Sequence, residues 1–229
     1  MKPTNDRRKF LQTAGFTALL TMASQGAGSA PNPNRAGGKF LTPTPSDRVA
    51  TLVLQGLIIP ERKVAEGILI KSTSAAWLEI ARELGADWAL ALQLSPTQLE
   101  EMVAGAYERA GFQVVITPRS GDHGRDVIAT SAGIGSIKIL GSVKRYAPGH
   151  LVDAEACRSL IGVVMADQKA SKGIITTTSD FAPMIRTDPS IAPFLPTRLE
   201  LMNGVELQKW LADLSSETPR PEATATATA

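Results

Sequence analysis

The sequence predicts an α/β fold in which a mixed central sheet is flanked by helices. Three observations lead to this class. A capped amphipathic helix precedes three short apolar segments that are typical of strands. A second amphipathic helix then leads to a fourth such segment. A fifth segment and a closing helix complete the series, so helices and strands alternate along one domain of about 120 residues.

The first helix of this domain is predicted from its start signals. Residues 95–98 read Ser-Pro-Thr-Gln, which offers a serine cap, a proline at the first helical position and a glutamine three residues after the cap. Apolar residues then recur along one face, and Gly111 ends the helix. Residues 112–116 follow as the first strand.

The next two strands are predicted as a hairpin, and this hairpin contains the candidate functional residues. Residues 127–129 are a short apolar run, residues 131–136 read as a turn, and residues 137–146 form a longer strand. Side chains two apart on a strand share a face. Ser142 and Lys144 are therefore expected on one face, with Asp126 at the mouth of the neighbouring strand.

The second half of the domain alternates in the same way. A helix is expected over 153–169, strands over 173–177 and 199–202, and a closing helix over 204–214. Cys157 is the only cysteine, so an internal disulfide and a cysteine-rich zinc site are excluded. Its place in an apolar helical pattern indicates a buried packing role.

The regions outside residues 95–214 carry no expected chemistry. Residues 47–94 are interpreted as a helical N-terminal region, with a helix over 75–84 capped by Ser74. Residues 31–46 are rich in proline and glycine and read as a linker, and residues 215–229 read as a disordered tail.

The first thirty residues resemble a twin-arginine export signal, with Arg7 and Arg8 before an apolar run and small residues at 28–30. The run is too short to span a membrane, so no span is expected in the mature chain. A functional leader predicts a periplasmic location, and a non-functional one predicts the cytoplasm. The net charge of +2 neither requires nor excludes nucleic acid as a partner.

Asp126 and Lys144 on neighbouring strands suit phosphodiester hydrolysis. A carboxylate offers hard oxygen ligands to Mg²⁺, and a lysine can orient or help deprotonate the attacking water and offset charge on the phosphoryl group. Taken alone, however, an aspartate near a lysine on adjacent strands is more often a structural ion pair.

The surrounding motifs favour the catalytic interpretation. They are Leu-Glu-Glu-Met-Val-Ala at 99–104, Gly-Asp-His-Gly-Arg-Asp-Val-Ile-Ala at 121–129, Ser-Val-Lys-Arg-Tyr at 142–146 and Lys-Gly-Ile-Ile-Thr-Thr-Thr-Ser at 172–179, with a weaker match at 199–204. In this order they resemble the Mrr-like restriction endonuclease domain of the PD-(D/E)xK nuclease superfamily, over residues 95–214.

The resemblance implies a restriction-endonuclease-like fold, a Mg²⁺ or Mn²⁺ cofactor and double-stranded DNA as the substrate, bound by one chain or by a homodimer. Asp126 matches the metal-binding aspartate, Lys144 the catalytic lysine, and Glu100 the acidic residue of the first helix that helps to hold metal. Ser142 stands at a metal-binding position where the family usually has glutamine or glutamate. A serine hydroxyl is a neutral ligand with less reach, although a water could bridge it to the metal.

Other side chains are candidates for contact with DNA. Arg119, Arg125 and Arg145 are candidate phosphate contacts. Thr177, Thr178 and Ser179 are interpreted either as phosphate contacts or as caps of a following helix.

Three hypotheses for function remain open. The first is a metal-dependent DNA endonuclease, and the second is a non-catalytic DNA-binding module whose metal site is weakened at Ser142. The third is a serine–lysine hydrolase built on Ser142 and Lys144. It is the weakest, because residues two apart on a strand are separated by about 6.6 Å along the chain, which is far for a nucleophile and its base.

Overall fold

The computed structural model of the chain describes residues 42–118 and 124–216. The export signal, most of the linker and nearly all of the tail predicted above lie outside these residues. The helices are α1 (Pro45–Val53), α2 (Ala75–Ala86), α3 (Pro96–Arg109), α4 (Ala154–Ala166) and α5 (Gly204–Ser216), with short 3₁₀ helices at Trp88–Gln93, Ile185–Thr187 and Ala192–Phe194. The strands are β1 (Ile58–Val64), β2 (Gly67–Thr73), β3 (Gln113–Ile116), β4 (Val127–Thr130), β5 (Lys138–Lys144), β6 (Lys172–Thr177) and β7 (Leu199–Met202).

The seven strands form one sheet whose spatial order is the same as their order along the chain. Strands β1 to β5 pair antiparallel in sequence, and β5, β6 and β7 pair parallel. Helix α4 makes the crossover between β5 and β6, as a parallel connection requires. The prediction of a mixed sheet flanked by helices is confirmed.

Each face of the sheet carries its own apolar core. Helices α2, α3 and α5 cover one face, where Trp77, Met102 and Leu211 are buried. Helix α4 covers the opposite face through Leu160 and Val164. Successive residues of β4 and β5 alternate between the two cores, so the central strands are covered on both sides.

The helices begin where the cap residues predict. Ser95 accepts a hydrogen bond from the backbone of Gln98, whose side chain bonds back to Ser95 at 2.6 Å. Ser74 caps α2 and Asp153 caps α4 through backbone amides three residues on. In the described part of the chain, no helix combines the length and the apolar character needed to cross a membrane.

The prediction of a helical region over 47–94 was wrong for its middle part. Residues 58–73 form the β1–β2 hairpin, which extends the sheet at its edge. The sequence of β1 does not indicate a strand, because Pro60 and a run of charged residues face solvent and apolar residues do not alternate with polar ones. Helix α1 also begins at Pro45, inside the predicted linker, and α5 runs to Ser216.

Candidate active site

The end of β5 presents two of the predicted site residues on one face of the sheet. Leu140 belongs to the core under α4, so Ser142 and Lys144, at two-residue intervals, face that side as well. Ser142 is only 3% exposed, and Lys144 is half-buried at the last position of the strand. Ser142 and Lys144 therefore share one face of the sheet, as their spacing predicts.

Asp126 is held against the same strand by both its backbone and its side chain. Its amide donates to the carbonyl of Gly141 at 2.7 Å, and its carboxylate oxygen Oδ2 accepts a hydrogen bond of 2.6 Å from the amide of Val143. The carboxylate thus takes the place of a backbone acceptor just before β4 begins. This bond puts the acidic group beside the peptide that joins Ser142 to Val143, one residue before Lys144.

Glu100 comes to this end of the sheet from another element. Helix α3 turns back at Gly111 into β3, so its first turn lies towards the end of β3. Arg145 Nη1, just after β5, donates to the carbonyl of Leu92 at 3.0 Å, which fixes the segment before α3 at the same end. Glu100 is half-buried there, on a helix that covers the face opposite to α4.

The neighbouring side chain of Glu101 is half-buried. Burial raises the pKa of Glu101 above its ordinary value. Glu101 was assigned no role from the sequence, and its position one residue round the helix from Glu100 gives it a different environment.

Two of the three arginines predicted to contact phosphate have structural partners. Arg145 anchors the 3₁₀ helix before α3 through Leu92, and its Nε is buried. Arg125 lies 3.8 Å from the carboxylate of Asp167, which follows α4. Arg119 and the other residues of 119–123 lie outside the described residues.

An open depression of about 690 Å³ lies beside Arg125 along the exposed side of α4. Ser159, Asp167 and Lys169 contribute to its lining. It borders the residue that precedes Asp126.

The two threonines at the end of β6 neither cap a helix nor point to solvent. Thr178 Oγ1 bonds to both the amide and the carbonyl of Tyr146, at 2.8 and 2.7 Å. Thr177 Oγ1 accepts from the amide of Ser179 at 3.2 Å. Both hydroxyls are therefore occupied by the main chain, and sequence reasoning missed this because side-chain bonds to a distant backbone leave no pattern in the sequence.

The donor set around Asp126 suits a hard divalent cation. Mg²⁺ is commonly held by one or two carboxylates together with waters and substrate phosphate. Asp126 provides a carboxylate, and Ser142 provides a neutral oxygen two positions before Lys144. Within residues 42–118 and 124–216, no cluster of three or more histidine, cysteine, aspartate or glutamate side chains is placed to hold a metal ion.

Comparison with known proteins gives one family and two structural neighbours. A family model for the Mrr-type catalytic domain, described as restriction endonuclease, matches residues 91–211, more than half of the chain. The DNA modification-dependent restriction endonuclease AspBHI is similar with a TM-score of 0.44 and 16% identity, over 63% of this chain and 36% of that chain. The MspJI restriction endonuclease in complex with a 27-mer oligonucleotide is similar with a TM-score of 0.38 and 16% identity, over 60% of this chain and 31% of that chain.

The chain therefore spans about a third of the length of these two structures. A search of curated proteins found no match.

Proposed function

Because the chain belongs to the Mrr-type restriction endonuclease family, we propose that it hydrolyses phosphodiester bonds of double-stranded DNA at Asp126 and Lys144. The observation that carries the proposal is the 2.6 Å hydrogen bond from the Val143 amide to Asp126 Oδ2. It holds a carboxylate against the strand that bears Lys144, at the end of the sheet that α3 and Glu100 also reach.

The proposed cofactor is Mg²⁺ or Mn²⁺, with Asp126 and Ser142 as its protein ligands. Glu100, which lies on the helix over the other face, is proposed as a further ligand at the same end of the sheet. These side chains offer only oxygen donors, which hard cations prefer. Once bound, the cation supplies positive charge that offsets the charge of the scissile phosphate. Ser142 contributes no charge, so the site depends more on Asp126 than it would with a second acidic residue on β5.

The chain's own groups account for orientation and charge. The Lys144 ammonium donates hydrogen bonds to a phosphoryl oxygen and to the attacking water, and its charge stabilises the transition state. The water oxygen bonds to phosphorus and releases one proton to solvent, the bond from phosphorus to the leaving sugar oxygen breaks, and that oxygen takes up one proton from solvent. The bond from Val143 keeps the Asp126 carboxylate from rotating away from Lys144.

Nicking of supercoiled plasmid tests the proposal directly. With Mg²⁺ or Mn²⁺, we expect nicking that EDTA abolishes. Lys144→Ala and Asp126→Asn should each lower the rate by about 10²–10³-fold, the size of effect seen when one electrostatic stabiliser is removed. Asparagine can still accept the bond from the Val143 amide, so this variant tests the charge of residue 126 while keeping the bond.

Two matched substitutions control for general effects. Lys71→Ala removes an exposed lysine from β2, and Asp213→Asn removes an exposed carboxylate from α5. Both are expected to nick DNA at the wild-type rate. Undiminished nicking by Lys144→Ala would contradict the proposal, since no other described lysine is assigned this role.

A DNA-binding module without catalysis is the second proposed function. It is favoured by the neutral, buried Ser142 at a position where a charged or amide ligand is usual in the family. Retarded migration of a DNA duplex on a gel, without cutting under any divalent cation, would select this alternative. The serine–lysine hydrolase is disfavoured, because Ser142 and Lys144 are two residues apart on one extended strand, about 6.6 Å along the chain, which is far for a nucleophile and its base.

The oligomeric state of the proposed nuclease bears on how it cuts, because each chain has one proposed site. One site cuts one strand, so a double-strand break needs either two successive events or a second copy of the chain. Sedimentation of the full chain with and without DNA distinguishes a monomer from a homodimer.

The mass of the N-terminus of the chain purified from its host distinguishes a processed, periplasmic protein from an unprocessed, cytoplasmic one.

A further inference from the structure

The pairing of β5 with β6 changes its nature immediately after Lys144. Up to the pair Lys144 and Thr177 the register is regular and parallel. One residue further, the amide of Thr178 donates to the carbonyl of Lys144 at 3.1 Å. Beyond this point the side chain of Thr178 replaces its backbone, with Oγ1 accepting from the amide of Tyr146 at 2.8 Å and donating to its carbonyl at 2.7 Å.

The carbonyl of Thr178 has a different partner. In a continuing parallel ladder it would accept from the amide of Tyr146. Instead it accepts from Trp88 Nε1 at 3.2 Å. Gly204 packs closely against both of these groups. A Cβ added there would lie 2.5 Å from the Thr178 oxygen and 2.9 Å from the indole nitrogen of Trp88. With the carbonyl occupied, the threonine hydroxyl completes the bonding of Tyr146.

The main chain is thus held on both sides of Lys144. On one side, the amide of Val143 is bonded to the Asp126 carboxylate. On the other side, Thr178 bonds to the carbonyl of Lys144 and to both polar backbone groups of Tyr146. Thr178 is only 8% exposed, so water has little access to take over its bonds.

We propose that Thr178 is a positioning residue for Lys144: its hydroxyl fixes the backbone after β5, so that the lysine side chain leaves the strand beside the Asp126 carboxylate. This inference rests on the proposed nuclease function. Because a misplacement of about 1 Å can cost about a hundredfold in rate, the loss of one hydroxyl at this position is expected to act on turnover more than on DNA binding.

Kinetics of three variants separate positioning from general stability. Thr178→Val keeps the shape and removes the hydroxyl, Thr178→Ser keeps the hydroxyl, and Thr176→Val removes another buried hydroxyl from β6. Thr176 pairs with Val143, so it faces away from Lys144. We expect kcat to fall about 10–100-fold in Thr178→Val, with KM for the plasmid within about twofold. Thr178→Ser and Thr176→Val should retain wild-type kcat within about threefold.

A second measurement does not depend on cutting. Amide hydrogen exchange at Tyr146 and the ¹³Cε signal of Lys144 report the bond and its consequence by NMR. In Thr178→Val the Tyr146 amide should lose protection and the Lys144 signal should shift, while Thr178→Ser leaves both unchanged. If the wild-type chain binds DNA without cutting, the nuclease proposal fails and these two signals alone decide on positioning.

Several outcomes would overturn the positioning role. One is a Thr178→Val variant with wild-type kcat and an unchanged Lys144 signal. Another is equal loss of kcat in Thr178→Ser and Thr178→Val, which would show that the hydroxyl is not what matters. Should Thr178→Val fail to fold, exchange in the wild type decides, because an unprotected Tyr146 amide contradicts the bond itself.

Discussion

Two β-hairpins of this chain, β4–β5 and β1–β2, differ in how they are supported. The β4–β5 hairpin lies in the middle of the sheet, is covered by helices on both faces, and carries Asp126 and Lys144. The β1–β2 hairpin lies at the edge, and β2 joins β3 through only two registered pairs. The covered hairpin provides the fixed positions that the proposed chemistry needs, whereas the edge hairpin is held by these two pairs and by side chains of one strand, such as Ile70, in the core under α3.

The largest change in stability is expected in the edge hairpin, at Gly67, the first residue of β2. Its φ of +153° lies in a region that other residues rarely adopt, and an added Cβ would overlap the carbonyl oxygen of Ile116. Gly67→Ala is therefore expected to lower the free energy of unfolding by about 3 kcal/mol, through strain and loss of the β2–β3 junction. Urea unfolding followed by circular dichroism measures this change.

Two other glycines serve as controls for this prediction. Gly56 has a φ of +82° and open space around it, so its alanine variant should cost only the left-handed backbone strain of about 1 kcal/mol. An alanine at Gly141, in the covered hairpin, would meet Val127 and Tyr107 at ordinary contact distances of 3.4 to 4.0 Å. Gly141→Ala is expected to change stability by less than about 1 kcal/mol. An equal cost at all three positions would contradict the special role of Gly67.

The same contrast explains what sequence reasoning could find. The covered hairpin was predictable because strands buried on both faces read as apolar runs, as in residues 127–129 and 139–140. The edge hairpin was missed because Pro60 and the charged residues 61–63 are tolerated only where a strand faces solvent. Exposure on one edge therefore removed the very pattern on which strand prediction depends.

The candidate site divides in a similar way. Asp126, Ser142 and Lys144 were proposed from the sequence because their residue types suit the chemistry and the motifs around them resemble a nuclease family. The bonds that arrange them were not, because each joins a side chain to the backbone of a residue distant in sequence. Val143 and Asp126 are 17 residues apart, Thr178 and Tyr146 are 32 apart, and Arg145 and Leu92 are 53 apart.

A smaller effect is expected from the ion pair at the start of β5. Lys138 Nζ lies 2.7 Å from Asp167 Oδ2, and both side chains are about four-fifths buried. The hydrogen bond from Lys138 is the main reason why the pKa of Asp167 is lowered. A lowered carboxyl pKa contributes stability that is present above the unfolded value of about 4 and is lost as pH falls through the folded value.

Asp167→Asn should therefore lower the free energy of unfolding by about 1 kcal/mol at pH 7, and the difference from wild type should vanish in strong acid. Urea unfolding between pH 7 and pH 2 measures this convergence. The edge hairpin supplies the matched control: Arg62 and Glu61 lie 3.9 Å apart with largely exposed side chains, so Glu61→Gln should stay within about 0.5 kcal/mol of wild type. A difference at Asp167 that grew with acidity would contradict the sign of this linkage.

The smallest change in stability is expected at Tyr107, in the core that packs against β5. The ring of Tyr107 packs near Gly141 and makes edge-to-face contacts with Phe112 and Trp210. Its hydroxyl is buried without a hydrogen-bond partner among the described residues, and this burial raises the pKa of Tyr107, with the charge of Glu200 adding to the effect. A buried donor without a partner costs free energy, so Tyr107→Phe should leave stability unchanged or raise it by up to about 1 kcal/mol. The ring contacts remain, so nicking should proceed at the wild-type rate. A loss of more than about 1 kcal/mol in urea unfolding would show that the hydroxyl has a partner that stabilises it.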